Sequence, residues 1–381
     1  VGDLSVEFLR NHVKYRKGTP FFLWSSCTSP HPPCAPCEPY DTMYDPGDMD
    51  LPVYADRPIS DIPSILWSSR GRLDGAHRDQ DRMRRIRALY YGLVSHVDDT
   101  FGRIIEEVKA LDLWDDTVIL FISDHGDMLG DHGLSQKNCP YEPSVRVPMI
   151  LRWPGRTEAG RICDDLVGLT DILPTFVDEL DLPHPDRGQL PGASLVGVDG
   201  GGLPGDRDAY VIDYGSDRNR WVAIRTRSHM FCIYADGAKR ELYDLDSDPQ
   251  EIDNIVDDRK ELAAQYEQRA ILWEKENGLS TSFVGGKFRT FPVPDYIPSE
   301  EECRKVVLNE GPWPNRLPED ERNSVETYAE AFTRAILKET TISPEILSIG
   351  QHKEKWLKLG PTDYGGGSLV GTSWEDAWNR A

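Results

Sequence analysis

Long apolar runs are missing from this sequence, cysteine is sparse and positive charge is in deficit, and each shortage excludes a class of protein. No stretch approaches the ~18 consecutive apolar residues that a bilayer-spanning helix requires, so no membrane span is predicted. Seven cysteines spread over 381 residues, Cys27, Cys34, Cys37, Cys139, Cys163, Cys232 and Cys303, form an odd, thinly spaced set. That pattern is no disulfide scaffold, and it favours a reducing, cytoplasmic setting. The N-terminus, Val1-Gly-Asp-Leu4, has neither the basic region nor the apolar core of an export signal, which leaves a periplasmic or secreted destination undecided. With 43 Lys and Arg against 65 Asp and Glu, the formal charge of -22 argues against a clamp on a nucleic-acid backbone, which gains its affinity from clustered cations.

What is present points to an α/β protein. Phe21-Phe-Leu-Trp-Ser-Ser26 reads as a buried strand that stops at the proline-rich Ser29-Pro-His-Pro-Pro33. Residues 29 to 80 are rich in Pro, Asp and Gly and predict a long surface excursion. From Asp81, the apolar positions Ile86, Tyr90, Leu93, Val97, Phe101, Ile104, Val108 and Leu111 recur every three or four residues, the spacing of a helix with one buried stripe. Two apolar strands follow, Thr117 to Ser123 and Val147 to Trp153. Strand, helix and strand in this order imply a right-handed crossover in a largely parallel or mixed sheet flanked by helices. A short helix is expected over Asp171 to Leu180. Beyond Pro183, short β-rich pieces at Asp208 to Tyr214, Arg220 to Arg227, Met230 to Ala235 and Glu241 to Leu245 predict a small antiparallel sheet, and Lys260 to Glu276 a helix. The chain thus divides at 1–182, an α/β domain, 183–278, an antiparallel-sheet subdomain with its helix, and 279–381, an irregular tail. That tail, with one helix expected at Glu319 to Lys338, would wrap the main body or join a neighbouring subunit.

The densest polar cluster is Ser123-Asp-His-Gly-Asp-Met-Leu-Gly-Asp-His-Gly-Leu-Ser-Gln-Lys137, directly after an apolar strand. Ligands in open α/β sheets bind beyond the carboxyl ends of strands, which makes Asp124 and His125 site candidates by position. Three glycines let the backbone turn tightly, and His132 and Lys137 add groups able to face an anion. A solvated glycine-rich loop is the plainer reading. Two His, three Asp and a Lys in fourteen residues favour the functional one. His31 is the second candidate: it too follows an apolar strand, and an imidazole can donate a proton to a departing oxygen near neutral pH. If the two strands are neighbours, His31 and the cluster emerge on one edge. Cys34-Ala-Pro-Cys37 lacks the second pair that a structural zinc site would need.

Ser29-Pro-His-Pro-Pro33, Tyr91-Gly-Leu-Val-Ser-His-Val-Asp-Asp99, the 123–133 cluster, Lys137, Val147-Pro-Met-Ile-Leu-Arg-Trp-Pro-Gly155, Leu169-Thr-Asp-Ile-Leu-Pro-Thr175 and Glu241-Leu-Tyr-Asp-Leu-Asp-Ser-Asp-Pro249 resemble, in order, the landmarks of the sulfatase family of the alkaline phosphatase superfamily. The resemblance spans roughly residues 18 to 275. It implies hydrolysis of a small or medium sulfate ester by a formylglycine, assisted by a divalent cation, with Ca2+ foremost and Mn2+ the alternative. Asp124 and His125 resemble the metal-proximal pair, Lys137 the sulfate-binding cation and His31 the imidazole beside the leaving group; His132 is grouped with the catalytic residues. Two features depart from the pattern. The formylglycine motif and the paired Asp ligands expected near the family's N-terminus are missing, so the chain resembles a C-terminal portion; Cys34-Ala-Pro-Cys-Glu38 is a poor match in residues and in place. His125 stands where many sulfatases have Asn, which also resembles the phosphonate monoester hydrolase and phosphodiesterase branch. A catalytically silent fragment is the third reading.

Overall fold

The computed structural model describes residues 1–32, 34–53, 62–68, 80–196, 207–237 and 239–293. The chain divides into two units, Val1–His31 with Glu38–Leu308, and Pro32–Cys37 with Asn309–Ala381. Every element named below belongs to the first. The expected helix at Glu319 to Lys338 lies outside the described residues. No described helix is long and apolar enough to cross a membrane.

The six α-helices described are α1 (Gly2–Arg16), α2 (Ser64–Ser68), α3 (Gln80–Ala110), α4 (Glu142–Val145), α5 (Ile172–Glu179) and α6 (Lys260–Asn277). The strands are β1 (Ile119–Ile122), β2 (Met149–Arg152), β3 (Ala209–Tyr214), β4 (Trp221–Thr226), β5 (His229–Tyr234), β6 (Arg240–Asp244) and the two-residue pair β7 (Phe283–Val284) and β8 (Lys287–Phe288). The α3 stripe is where its periodicity puts it: Met83, Ile86, Leu89, Leu93, Ile104 and Val108 are buried. Its C-terminal half packs on α1, where Leu9, Ile104 and Val108 form a small core with the half-buried Phe21 and Leu23. The two helices approach closely at Gly2, where a Cβ would meet Thr100 Cγ2 at 2.8 Å. Two ion pairs, Arg10 with Glu107 and Arg103 with Asp3, decorate this contact at the surface, where such pairs contribute little.

The segment Phe21 to Ser26 is not a strand. It alternates as one, with Phe21 and Leu23 turned toward α1 and α3, while Phe22 is 76% and Trp24 72% exposed. A strand needs a backbone partner, and no described residue pairs with this segment. The α/β class holds, but the parallel crossover does not form among the described residues: β1 pairs with β2 antiparallel, Ile119 opposite Arg152 and Ile122 opposite Met149. Phe121 of β1 meets Phe101 of α3 edge-on at 5.0 Å, which seats this ribbon on the long helix. Beyond it, Arg152 is held by the carbonyls of Trp114, at 2.6 Å, and Thr117, at 3.1 Å, with its guanidinium over the Trp114 ring.

The second sheet is an antiparallel meander, β3-β4-β5-β6, buried on both faces. Alternate residues explain how. Val222, Ile224, Phe231, Ile233 and Leu242 face the α6 side with Ala263 and Ala270. Ala223, Cys232, Tyr234 and Tyr243 point the other way and pack with Met128, Leu134 and Tyr141, residues of the segment that follows β1. The sheet therefore forms the floor beneath that polar segment. A buried ion pair ties α6 to the sheet: Arg220 donates from Nε to Glu274 Oε1 at 3.0 Å and from a terminal nitrogen to Glu274 Oε2, and both side chains are almost wholly buried.

Breaking a buried pair costs about 3–5 kcal/mol when the remaining charge is left alone; Arg220 also donates to Asp213, which keeps a partner for it, so the loss falls toward the lower end. Glu274→Ala is expected to lower the urea midpoint accordingly, with Arg220→Met in the same background restoring part of the loss; a change within experimental error of wild type would contradict the burial.

Candidate active site

The polar cluster is a loop fixed at several points. After β1, Ser123 Oγ donates to the His125 carbonyl at 2.8 Å, and the His125 amide donates to Asp124 Oδ1 at 3.0 Å. Gly126 N–H donates to the Ser144 carbonyl at 2.8 Å, so closely that a Cβ there would lie 2.0 Å from the Pro143 carbonyl oxygen. Only glycine fits that crossing. Asp131 anchors the far turn: it accepts from the Val53 amide at 2.8 Å and from Arg87 of α3 at 2.7 Å. Leu129, His132, Gln136 and Asn138, none of them glycine, all have positive φ, at 43°, 55°, 62° and 80°. A backbone so disfavoured persists only where its surroundings hold it.

The loop brings Lys137 to His31, with Nζ 3.0 Å from Nε2. An ammonium has donors and no acceptor, so Lys137 donates and His31 presents the lone pair of Nε2, its ring proton standing on Nδ1. The His31 and His125 rings lie edge to face, 6.2 Å apart. His125 Nδ1 lies 2.9 Å from its neighbour Gly126's carbonyl, a bond that makes Nδ1 the donor and leaves Nε2, 3.6 Å from Asp124 Oδ2, as a free ligand atom. The Asp124 side chain is 85% exposed. His31, His125 and Lys137 thus meet, with Asp124 beside His125. His132 does not join them: it stacks on Tyr141, ring centroids 4.1 Å apart and planes within 4°, and its Nε2 donates to the Gln250 carbonyl at 3.1 Å.

Asp124 and His125 fit part of a divalent cation's shell, one carboxylate and one imidazole with its lone pair outward. Among the described residues no group of three His, Cys, Asp or Glu is placed to hold an ion. A hard cation such as Ca2+ takes six to eight oxygens, so this pair supplies a minority of its ligands; the mixed nitrogen and oxygen donors suit Mn2+ equally well. Neither Cys34 nor Cys37 forms a disulfide among the described residues.

Residues 2–182 match the family model described as sulfatase, and residues 130–277 the model described as N-sulphoglucosamine sulphohydrolase, C-terminal. The chain belongs to the sulfatase family of the alkaline phosphatase superfamily. Among curated relatives of this sulfatase-family chain, an arylsulfatase of Clostridium perfringens is 28% identical over 76% of the chain and 60% of its own length. The multifunctional alkaline phosphatase superfamily protein PehA of Trinickia caryophylli is 29% identical over 69% of the chain and 57% of its own length. Among solved structures, a phosphonate monoester hydrolase of Agrobacterium radiobacter is 27% identical with a TM-score of 0.59, over 73% of this chain and 60% of that one. The chain therefore spans about 60% of the length of the relatives it matches.

Sequence reasoning missed the acid that joins this loop to the second sheet. Glu251, at φ 58°, accepts from the Glu142 amide at 2.8 Å, and its other oxygen is buried without a hydrogen-bond partner among the described residues. Burial pushes its carboxyl up to about 8, against the Glu142 N–H bond that stabilises the anion. The landmark Glu241 to Pro249 ends two residues short of it, and nothing in an exposed-looking Asp-Pro-Gln-Glu run signals burial. A carboxyl raised on folding stabilises the native state below its unfolded value of 4.5, and that contribution is lost as pH rises through about 8. Glu251→Gln is expected to remove this component: measured by thermal melts, wild type loses stability relative to the variant between about pH 5 and 8, and parallel curves would refute a buried neutral acid.

Proposed function

We propose that the chain carries the leaving-group and anion-binding side of a metal-assisted sulfuric ester hydrolase, with the formylglycine nucleophile supplied by polypeptide outside these 381 residues. The observation that carries this reading is the 3.0 Å contact of Lys137 with His31, set beside His125 and Asp124. When an ester's anionic group enters, Lys137 turns an N–H to a non-bridging oxygen. That frees Nε2 of His31 to take up a proton from water and pass it to the bridging oxygen as the S–O bond to the leaving group breaks and an incoming oxygen nucleophile, supplied from elsewhere, would bond to sulfur. A divalent cation held in part by Asp124 and His125 would polarise the same group as a Lewis acid. A nucleophile from elsewhere agrees with the exposure of Phe22 and Trp24, on the segment seated against α1 and α3, and of Ile150 on β2. The charge of -22 favours a small or medium substrate over an extended polyanion.

A second reading is hydrolysis of a phosphonate monoester or phosphodiester. His125 in place of Asn and the likeness to the Agrobacterium radiobacter enzyme favour it. In a longer form with its formylglycine in place, assayed against aryl sulfates, alkyl sulfates and phenylphosphonate esters, sulfate esters are expected to turn over fastest. Faster phosphonate turnover would select the second reading, and none at all would reject both. The 381 residues alone are expected to be inactive. Lys137→Ala should lower kcat/KM on sulfates by about 10²–10³. His31→Ala should slow alkyl sulfates far more than sulfates of acidic phenols, whose leaving groups need no proton; equal losses on both would remove His31 from the proton transfer.

A further inference from the structure

The anchors described so far hold the base and the far turn of the loop; its neck, from which Lys137 emerges, is held by a residue with no role yet. One oxygen of Asp127, Oδ1, accepts two backbone N–H groups from opposite sides of the neck, Leu129 at 3.0 Å and Gln136 at 3.0 Å. The strands of the neck are also joined directly, Met128 N–H to the Gln136 carbonyl at 2.8 Å. The two residues whose amides Asp127 takes up, Leu129 and Gln136, are themselves left-handed without being glycine. That conformation is disfavoured by roughly 1–2 kcal/mol per residue, and a charge-assisted bond to each amide is of the size that offsets it. Gln136 is bonded directly to Lys137, so the φ of Gln136 sets where the lysine leaves the backbone.

We propose that Asp127 is the positioning residue of the anion-binding pair: by gathering the Leu129 and Gln136 amides on one oxygen it fixes the left-handed turn at Gln136 and so holds Lys137 against His31. The role rests on His31 and Lys137 being the anion-facing pair. It is exerted through the backbone and needs an oxygen in the right place. Asparagine keeps an acceptor oxygen where Asp127 has it. Glutamate keeps the charge and moves the oxygens outward by one methylene.

The test uses the 381-residue chain and needs no turnover. Acetic anhydride labels Lys137 and the exposed Lys17, and peptide mass spectrometry gives the ratio of their rates. In wild type, Lys137 is expected to react slowly relative to Lys17. Asp127→Asn should leave the ratio near wild type, whereas Asp127→Glu should raise it about tenfold, the change expected from losing a hydrogen bond to a charged group. A merely electrostatic role predicts the reverse order, and a merely structural one no difference between variants that melt alike; either result overturns the proposal. Should Asp127→Glu fail to melt cooperatively, Asp127→Asn and Asp127→Ser decide: serine, too short to reach both amides, must release Lys137, and a ratio equal to wild type overturns the proposal. Inorganic sulfate, added as a second arm, should slow Lys137 labelling in wild type and in Asp127→Asn. Loss of that protection in wild type, with the variant order intact, would reject the anion-binding reading and spare the positioning role.

Discussion

The candidate site depends on the docking of one loop onto one sheet. Met128, Leu134 and Tyr141 leave water against Ala223, Cys232, Tyr234 and Tyr243, the face of the meander that α6 does not cover. Burying a large apolar side chain contributes about 1.5–3 kcal/mol, and a left-handed residue other than glycine costs about 1–2 kcal/mol. Three such anchors and four such residues nearly cancel. The margin therefore falls to the polar bonds at Gly126, Asp127 and Asp131, which is why the loop's shape is set by a few named contacts and not by packing in general. It also follows that the second sheet belongs to the site's foundation: through Gln250 and Glu251 it reaches His132 and the start of α4.

How much of this was legible follows from where the information sits. The stripe of α3 and the four strands of the meander could be read because each buries side chains at its own period, and their observed limits fall within a few residues of the expected ones. Helix α1 escaped notice because its buried face is Gly2, Ser5, Leu9 and His12, a stripe with a single large apolar residue. Phe21 to Ser26 misled for the opposite reason: its pattern is that of a strand, and pattern reports faces, never partners. In the site, residue types and their order were enough to bring His31, His125 and Lys137 under suspicion, and the fold places them together. Sequence could not tell that His132, identical in type to His125 and seven residues away, turns instead to Tyr141, because the choice is made by a positive φ at a residue that is not glycine.

The partner chosen for Lys137 has a consequence of its own. Lys109 is paired with a carboxylate, Glu106, at 2.8 Å. Lys137 donates instead to a neutral ring nitrogen. An anion arriving at a carboxylate-paired lysine must displace a like charge, whereas here it displaces one hydrogen bond with a net value of about 0.5–1.5 kcal/mol. In the proposed reaction the ammonium keeps its charge for the incoming group, and the displaced imidazole would be left beside that group with a lone pair able to carry a proton. The mean field of the chain repels anions at long range and is screened within about 8–10 Å in physiological salt. At contact distance the local pair decides, so the acidic charge of the chain does not weigh against the anion-binding role proposed for the loop.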